Sequence, residues 1–234
     1  MRFTVDSKVF ELNDTLCIAV VKMSDVENGR GEQRIDSLLK EAIYTVQEEL
    51  SNTTLGKHPK IKPWRKAYSD FKAKPSRYPC SVEALARRAV KEKKVSRINN
   101  LVDLYNGISL KHLLPIGGDD LEKVEGDLFL TRADGGETFY PLGGEKAEVI
   151  NPEEVIYRDD RSVLCRRWNY RESEKTLLDE QTRQAVLFVE GLAPAGPADV
   201  KKAAEELCCL AADLVKANCD LVMIDQKNPS CVLS

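Results

Sequence analysis

The chain has 234 residues, of which 42% are hydrophobic and 31% charged, and a formal net charge of −3 at neutral pH. That length supports a sizeable core without disulfide or metal staples, and the mild acidity excludes a protein that coats nucleic acid through bulk charge. No apolar run approaches the roughly 20 residues that span a bilayer, and the charged opening MRFTVDSKVFELN does not read as a secretory signal.

In chain order, FTVDSKVF alternates apolar and polar residues and LCIAVVKM is a continuous apolar run, so residues 2–23 read as β. Residues 31–50 place Ile35, Leu38, Leu39, Ala42, Ile43, Val46 and Leu50 on one helical face. A loop follows, and Pro63 opens the short helix PWRKAYSDF as an N1 proline would. After extended Arg77–Cys80, Ser81 is expected to cap VEALARRAVKEKK, whose terminal lysines suit the negative end of the helix dipole. A further helix is expected at roughly 98–110, and Pro115–Asp119 reads as a turn.

From 126 to 192 the signals are β: DLFLTRA, ETFYPL, EEVIYRDD, SVLCRRW and QAVLFVEGL, separated by Gly pairs, Asn-Pro and charged turns. The helix PADVKKAAEELCCLAADLVKANC and the short strand DLVMID close the chain. Helices early and late around a block of strands give a layered α+β form of α/β architecture, with 1–234 expected as a single domain.

Seven cysteines contain no CxxC pair and only His58 and His112 are available, so a reduced cytoplasmic setting is expected and a structural zinc site is not. GxGxxG, GxxxxGK[ST] and GxSxG are all absent, which removes the usual nucleotide loops and the serine elbow. No cofactor and no metal are expected. The terminal Cys231-Val-Leu-Ser234 fits a prenylation pattern loose enough to arise by chance. Residues 57–97 are basic with interleaved aromatics, and read equally as a solvated helix face or a phosphate-contacting surface.

Two stretches carry polar residues that packing does not explain. SRINNLVDLYN (96–106) spends three asparagines in a helix-like run, although the Asn amide competes for backbone groups. LCRRWNYRESEKT (164–176) ends a strand in forked donors, a flat ring and an amide, which can grip a phosphate, a ribose or an aminoacyl group. The plainer reading pairs its arginines with Glu172 and Glu174.

Together these stretches resemble the B3/B4 editing module of the phenylalanyl-tRNA synthetase β subunit. Arg97-Ile-Asn-Asn-Leu-Val-Asp-Leu-Tyr-Asn106 is similar to the family's R-P-I-N-N-V-V-D-x-x-N, lacking the proline and with Leu101 at the first valine. Pro115–Leu121, Phe139–Ile156 and Leu164–Glu190 follow the later blocks in order, so the likeness covers about 65–192. The resemblance implies a mixed, largely antiparallel sheet flanked by helices, in a freestanding editing protein that hydrolyses the ester of a misattached amino acid on tRNA. It places Asn106 and Glu190 in catalysis and side-chain reading, with Asn99, Asn100, Gly117, Arg167, Trp168, Asn169 and Thr176 around the substrate. Arg65, Lys66, Arg87 and Arg88 would touch tRNA. The implied partner is the aminoacylated 3′ end of tRNA, with no DNA and no membrane.

Two departures stand out. Gly117 falls where the family keeps a pocket histidine, and the family's paired glycines are replaced by Asn169-Tyr170 or neighbouring residues. His112 can stand in for the histidine only if the following turn brings it round. The alternative reading is therefore a module on the same fold that binds tRNA or an amino acid without reaction; a different enzyme on this scaffold is the third.

Overall fold

The computed structural model describes residues 1–144 and 146–233; Ser234, the last residue of the prenylation-like motif, lies outside them. The first strand, β1 (Arg2–Val5), buries Phe3 and Val5 and then stops where a β reading of the sequence continues. Asp6 is the reason: its carboxylate accepts the Lys8 N–H at 2.9 Å and starts helix α1 (Ser7–Leu12), which buries Val9 and Phe10. Strand β2 (Cys17–Ser24) and helix α2 (Gln33–Leu50) form as the apolar run and the helical stripe require.

Helix α3 (Lys62–Asp70) carries Pro63 in its first turn, and α4 (Ser81–Glu92) follows. Ser81 does not cap α4. The N-cap is Cys80, and the Ser81 backbone N–H is taken by Asn169 Oδ1 at 3.2 Å, from a segment 88 residues away. Helix α5 (Asn100–His112) then runs into β3 (Ile116–Asp120), a strand where Gly117-Gly118 reads as a turn. The correction has a steric cause. Gly117 pairs with Phe188 and Gly118 with Leu187, and a Cβ on Gly118 would lie 2.1 Å from the Val186 carbonyl. The glycine permits close strand approach, a role that a Gly pair also signals.

The remaining strands are β4 (Leu128–Arg132), β5 (Thr138–Phe139), β6 (Glu148–Val149), β7 (Val155–Arg158), β8 (Val163–Arg166), β9 (Arg171–Glu172) and β10 (Ala185–Gly191). Helix α6 (Pro197–Leu214) ends earlier than its sequence pattern, because residues from Asn218 enter β11 (Asn218–Ile224); β12 (Ser230–Val232) closes the described chain.

One sheet has the order β12-β1-β4-β7-β8-β9, with β1 and β4 parallel and its other pairs antiparallel. The second, β11-β2-β10-β3, is antiparallel throughout, and β5-β6 form a small hairpin. The architecture is thus mixed α/β with largely antiparallel sheets. Phe3 on β1 and Tyr157 on β7 meet Phe188 on β10 with ring centroids 4.7 and 5.0 Å apart, which locks the two sheets together. Helices α5 and α6 cover the other side of the second sheet, and α2 lies on α5. Gly107 makes that last contact possible, since a Cβ there would lie 2.2 Å from Leu38 Cδ2. The sheet junction and the start of β3 enclose the site. Among the described residues no helix is long and apolar enough to cross a membrane.

Candidate active site

The three asparagines of α5 divide into two roles. Asn99 is the N-cap: its Oδ1 accepts the Val102 N–H at 3.0 Å and its Nδ2 donates to the Leu178 carbonyl at 2.9 Å. Asn100 Oδ1 accepts the Glu32 N–H at 3.1 Å, tying the loop before α2 to α5. Both are buried and committed to backbone. Replacing Asn99 by Ala is expected to cost about 1 kcal/mol through the lost cap, with a further penalty at the Leu178 carbonyl; urea denaturation checks it. Asn106, by contrast, is half-buried, and among the described residues its amide has no hydrogen-bond partner.

Asn106 lies in the wall of a cleft of about 310 Å³ between α4, α5, β3 and the segment 169–172. Gly117, Gly118, Asn169 and Glu172 line both this cleft and a smaller inner chamber of about 20 Å³. That is room for one water, which needs roughly 10–15 Å³. Three carboxyl groups line the chamber: Asp119, Glu172 and Glu190.

Glu190 is the hub of the chamber. Its Oε1 accepts the Trp168 indole N–H at 3.2 Å and the Tyr157 hydroxyl, and its Oε2 accepts the Asn169 amide. Burial outweighs these three donors and pushes the Glu190 carboxyl up to about 7. Asp119 is likewise pushed up to about 7, by burial first and then by Asp159 and Asp120, although the Thr176 hydroxyl donates to it at 2.5 Å. Thr176 thus holds a chamber acid in place. Burial, reinforced by Asp119, raises Glu172 well above the carboxylate range.

Asn169 connects the chamber to the helices, its Oδ1 accepting from both the Tyr68 hydroxyl and the Ser81 N–H. The chain reaches it through left-handed backbone at Arg167 (φ 49°) and Trp168 (φ 64°), an uncommon setting for two large residues. The reversal at the end of β8 therefore falls on Arg167-Trp168, one step ahead of Asn169-Tyr170. Trp168 is fully buried edge-on to Trp64, with centroids 5.2 Å apart, so its ring offers no face to an adenosine. It contributes its N–H to Glu190 instead.

Arg167 points away from the chamber. Its guanidinium lies 3.8 Å from the Tyr78 ring centroid, in a hollow shared with Arg77, Tyr170 and Arg171. The pairing of Arg166 and Arg167 with Glu172 and Glu174 does not form: Arg166 binds Glu148 and Glu154, and Arg167 sits 3.8 Å from Glu154. Of the four basic residues expected at RNA, Arg65 and Arg87 both pair with buried Glu83, at 2.6 and 2.7 Å. Lys66 pairs with Asp70, while Arg88 lines the cleft with no ion pair among the described residues. His112 bonds Glu206 at 2.8 Å and does not reach the site.

Sequence reasoning missed Asp119, Tyr157 and Glu172. Their local sequence carries little signal, since β3 is Ile-Gly-Gly-Asp-Asp and has the composition of a turn; the two sheets bring them together.

The B3/4 domain family profile matches residues 63–215, well over half of the chain. The chain belongs to the B3/4 domain family. Similar stretches occur in the phenylalanine–tRNA ligase β subunit of Fusobacterium nucleatum subsp. nucleatum, 29% identical over 110 residues, and in that of Aquifex aeolicus, 36% identical over 67 residues. These matches cover 47% and 29% of the chain, and 13% and 8% of the two relatives. A crystal structure of an N-terminal fragment of the phenylalanyl-tRNA synthetase β subunit from Pyrococcus horikoshii aligns over 94% of this chain and 53% of the other, at 12% identity and a TM-score of 0.47. The B3/4 match takes in α3 from Pro63 onward, α4, α5, β3 to β10 and α6, and so every residue of the cleft and chamber named above.

Proposed function

We propose that this B3/4 domain hydrolyses the ester between a misattached amino acid and the terminal ribose of tRNA. The observation that carries the reading is the amide of Asn106, unpartnered among the described residues, in a cleft that narrows to a one-water acidic chamber. An aminoacyl ester is already activated. A positioned water and donors aimed at the developing oxyanion suffice for it, without a protein nucleophile. Cys165, the thiol at the chamber, is pushed well above the usual range by burial and is therefore no thiolate nucleophile. In this reading the aminoacyl group enters the cleft between α4 and α5, Asn106 donates to its carbonyl oxygen, and Asn169 and Glu190 form the floor beneath the side chain. Arg88 at the cleft, and the hollow of Arg77, Arg167 and Arg171, would meet the RNA backbone, which a chain of net acidic charge must do locally.

A panel of transfer RNAs charged with radiolabelled non-cognate amino acids tests this. Release of the label from at least one species, at a rate above the uncatalysed ester, is the expected result. Salt-sensitive tRNA binding with no release from any species would instead support a non-catalytic binding module, the reading favoured by glycine rather than histidine at 117.

A further inference from the structure

We propose that Glu172 is the general base of this site, acting from the space that a side chain at position 117 would otherwise fill. The assignment rests on the deacylase reading above. A Cβ built on Gly117 would meet Glu172 Oε1 at 3.2 Å, so the bare glycine leaves room for this carboxylate at the throat between cleft and chamber. Glu172 is held there by β9, where it pairs with Cys165 of β8 across the sheet edge.

The chamber's other acids are occupied. Glu190 takes three protein donors and Asp119 takes the Thr176 hydroxyl. Among the described residues no N–H or O–H group donates to the Glu172 side chain; its neighbour is the Cys165 thiol, a weak donor that also faces the Arg166 carbonyl at 3.9 Å. Glu172 therefore has acceptor capacity to spare beside a space that fits one water. Asn106, across the cleft, offers the complementary donor.

The step balances simply. The water oxygen forms a bond to the acyl carbon while one of its protons passes to a Glu172 oxygen. The carbon–ribose oxygen bond then breaks, and the proton on Glu172 passes to the departing ribose oxygen, giving a free amino acid, a tRNA hydroxyl and the carboxylate again. A base must be ionised to act. The groups facing Glu172 are Asp119 on β3, Tyr105 on α5, Tyr157 on β7, Cys165 on β8 and Glu190 on β10. None of these carries positive charge, and with burial they shift its carboxyl well above the ordinary range; the cation lining the same cleft is Arg88 on α4. The rate is therefore expected to climb with pH only above the ordinary carboxylate range, as Glu172 loses its proton.

Glu172→Gln keeps the shape and removes the base. The expected result is a loss of about 10²–10⁴ in kcat with KM for the charged tRNA little changed, and loss of the rising pH limb. A folded Glu172→Gln protein with the parent rate and pH profile overturns the assignment while leaving the deacylase reading intact. If the parent protein releases no amino acid from any tRNA in the panel, the deacylase reading fails and the assignment with it. Should Glu172→Gln not fold, Glu172→Asp decides: withdrawing the carboxylate by one methylene is expected to cost about tenfold or more in kcat, and an undiminished rate overturns the proposal.

Discussion

Replacing Glu190 by Ala is expected to destabilise the protein by about 3 kcal/mol or more, because three donors lose their acceptor at once. Tyr157, Trp168 and Asn169 all turn toward this one carboxyl, and Glu190 is buried between the sheets. Each buried donor left unmatched costs about 1–3 kcal/mol, and the void left by the side chain adds to that. Urea denaturation measures the loss directly; a change under about 1 kcal/mol would mean that the three donors find other partners at little cost.

Glu190 also gives stability a pH dependence of unusual sign. Its folded-state value of about 7 lies above the ordinary 4.5, so the folded protein holds the proton where the unfolded chain has released it. The stabilisation is complete below about 4.5 and is lost as pH rises through about 7. Asp119 contributes with the same sign between 3.8 and about 7. Glu190→Gln is expected to flatten the decline in part, leaving the share of Asp119 and Glu172. An unchanged slope would show that Glu190 is ionised in the fold throughout.

The sequence carried most elements because most are locally determined. The stripe of α2 and the apolar runs of β2, β7 and β10 each name their element without reference to the rest of the chain. The failures are places where a distant or single contact decides. FTVDSKVF satisfies a strand as well as a strand and a short helix, and one Asp6 carboxylate settles it. Gly117-Gly118 has the composition of a turn, and becomes β3 only because β10 lies against it. Ser81 looks like a cap, yet the helix begins one residue earlier, with Cys80 as N-cap and the Ser81 N–H turned to Asn169.

The site divides in the same way. The asparagine run was legible as unusual, and the resemblance implied a pocket role for its end, but composition alone could not separate Asn99 and Asn100 from Asn106. Hydrogen-bond partners do. The basic stretch was illegible for a related reason: Arg65, Arg87 and Arg88 look alike until buried Glu83 is seen to hold the first two. The chamber acids come from β3, β9 and β10, which lie far apart in sequence and converge only through strand order and register.

If the domain is the proposed deacylase, Asn106→Ala is expected to lower its rate by about 10²–10³, as removal of one oxyanion donor does, while changing tRNA affinity by no more than a few-fold. The argument starts from rigidity. Asn99 caps α5 and Asn100 ties the helix to the loop before α2, so the backbone that carries Asn106 is fixed at its start. Its amide meets no protein partner among the described residues and lines the same cleft as Gly117 and Glu172. A donor held this way reorganises little when charge develops on a carbonyl oxygen, which is the condition under which it is worth most. Stability should hardly change, since no buried hydrogen bond is lost, and this separates Asn106→Ala from Asn99→Ala. Asn106→Asp sharpens the test. It preserves size but turns two N–H donors into an acceptor-only carboxylate, set in a cleft that already contains Glu172. If Asn106 donates to the oxyanion, Asp must be at least as damaging as Ala. An Asp variant that keeps the rate would show instead that the residue only shapes the wall, and equal losses in rate and tRNA affinity for Ala would place it in binding rather than in the chemical step.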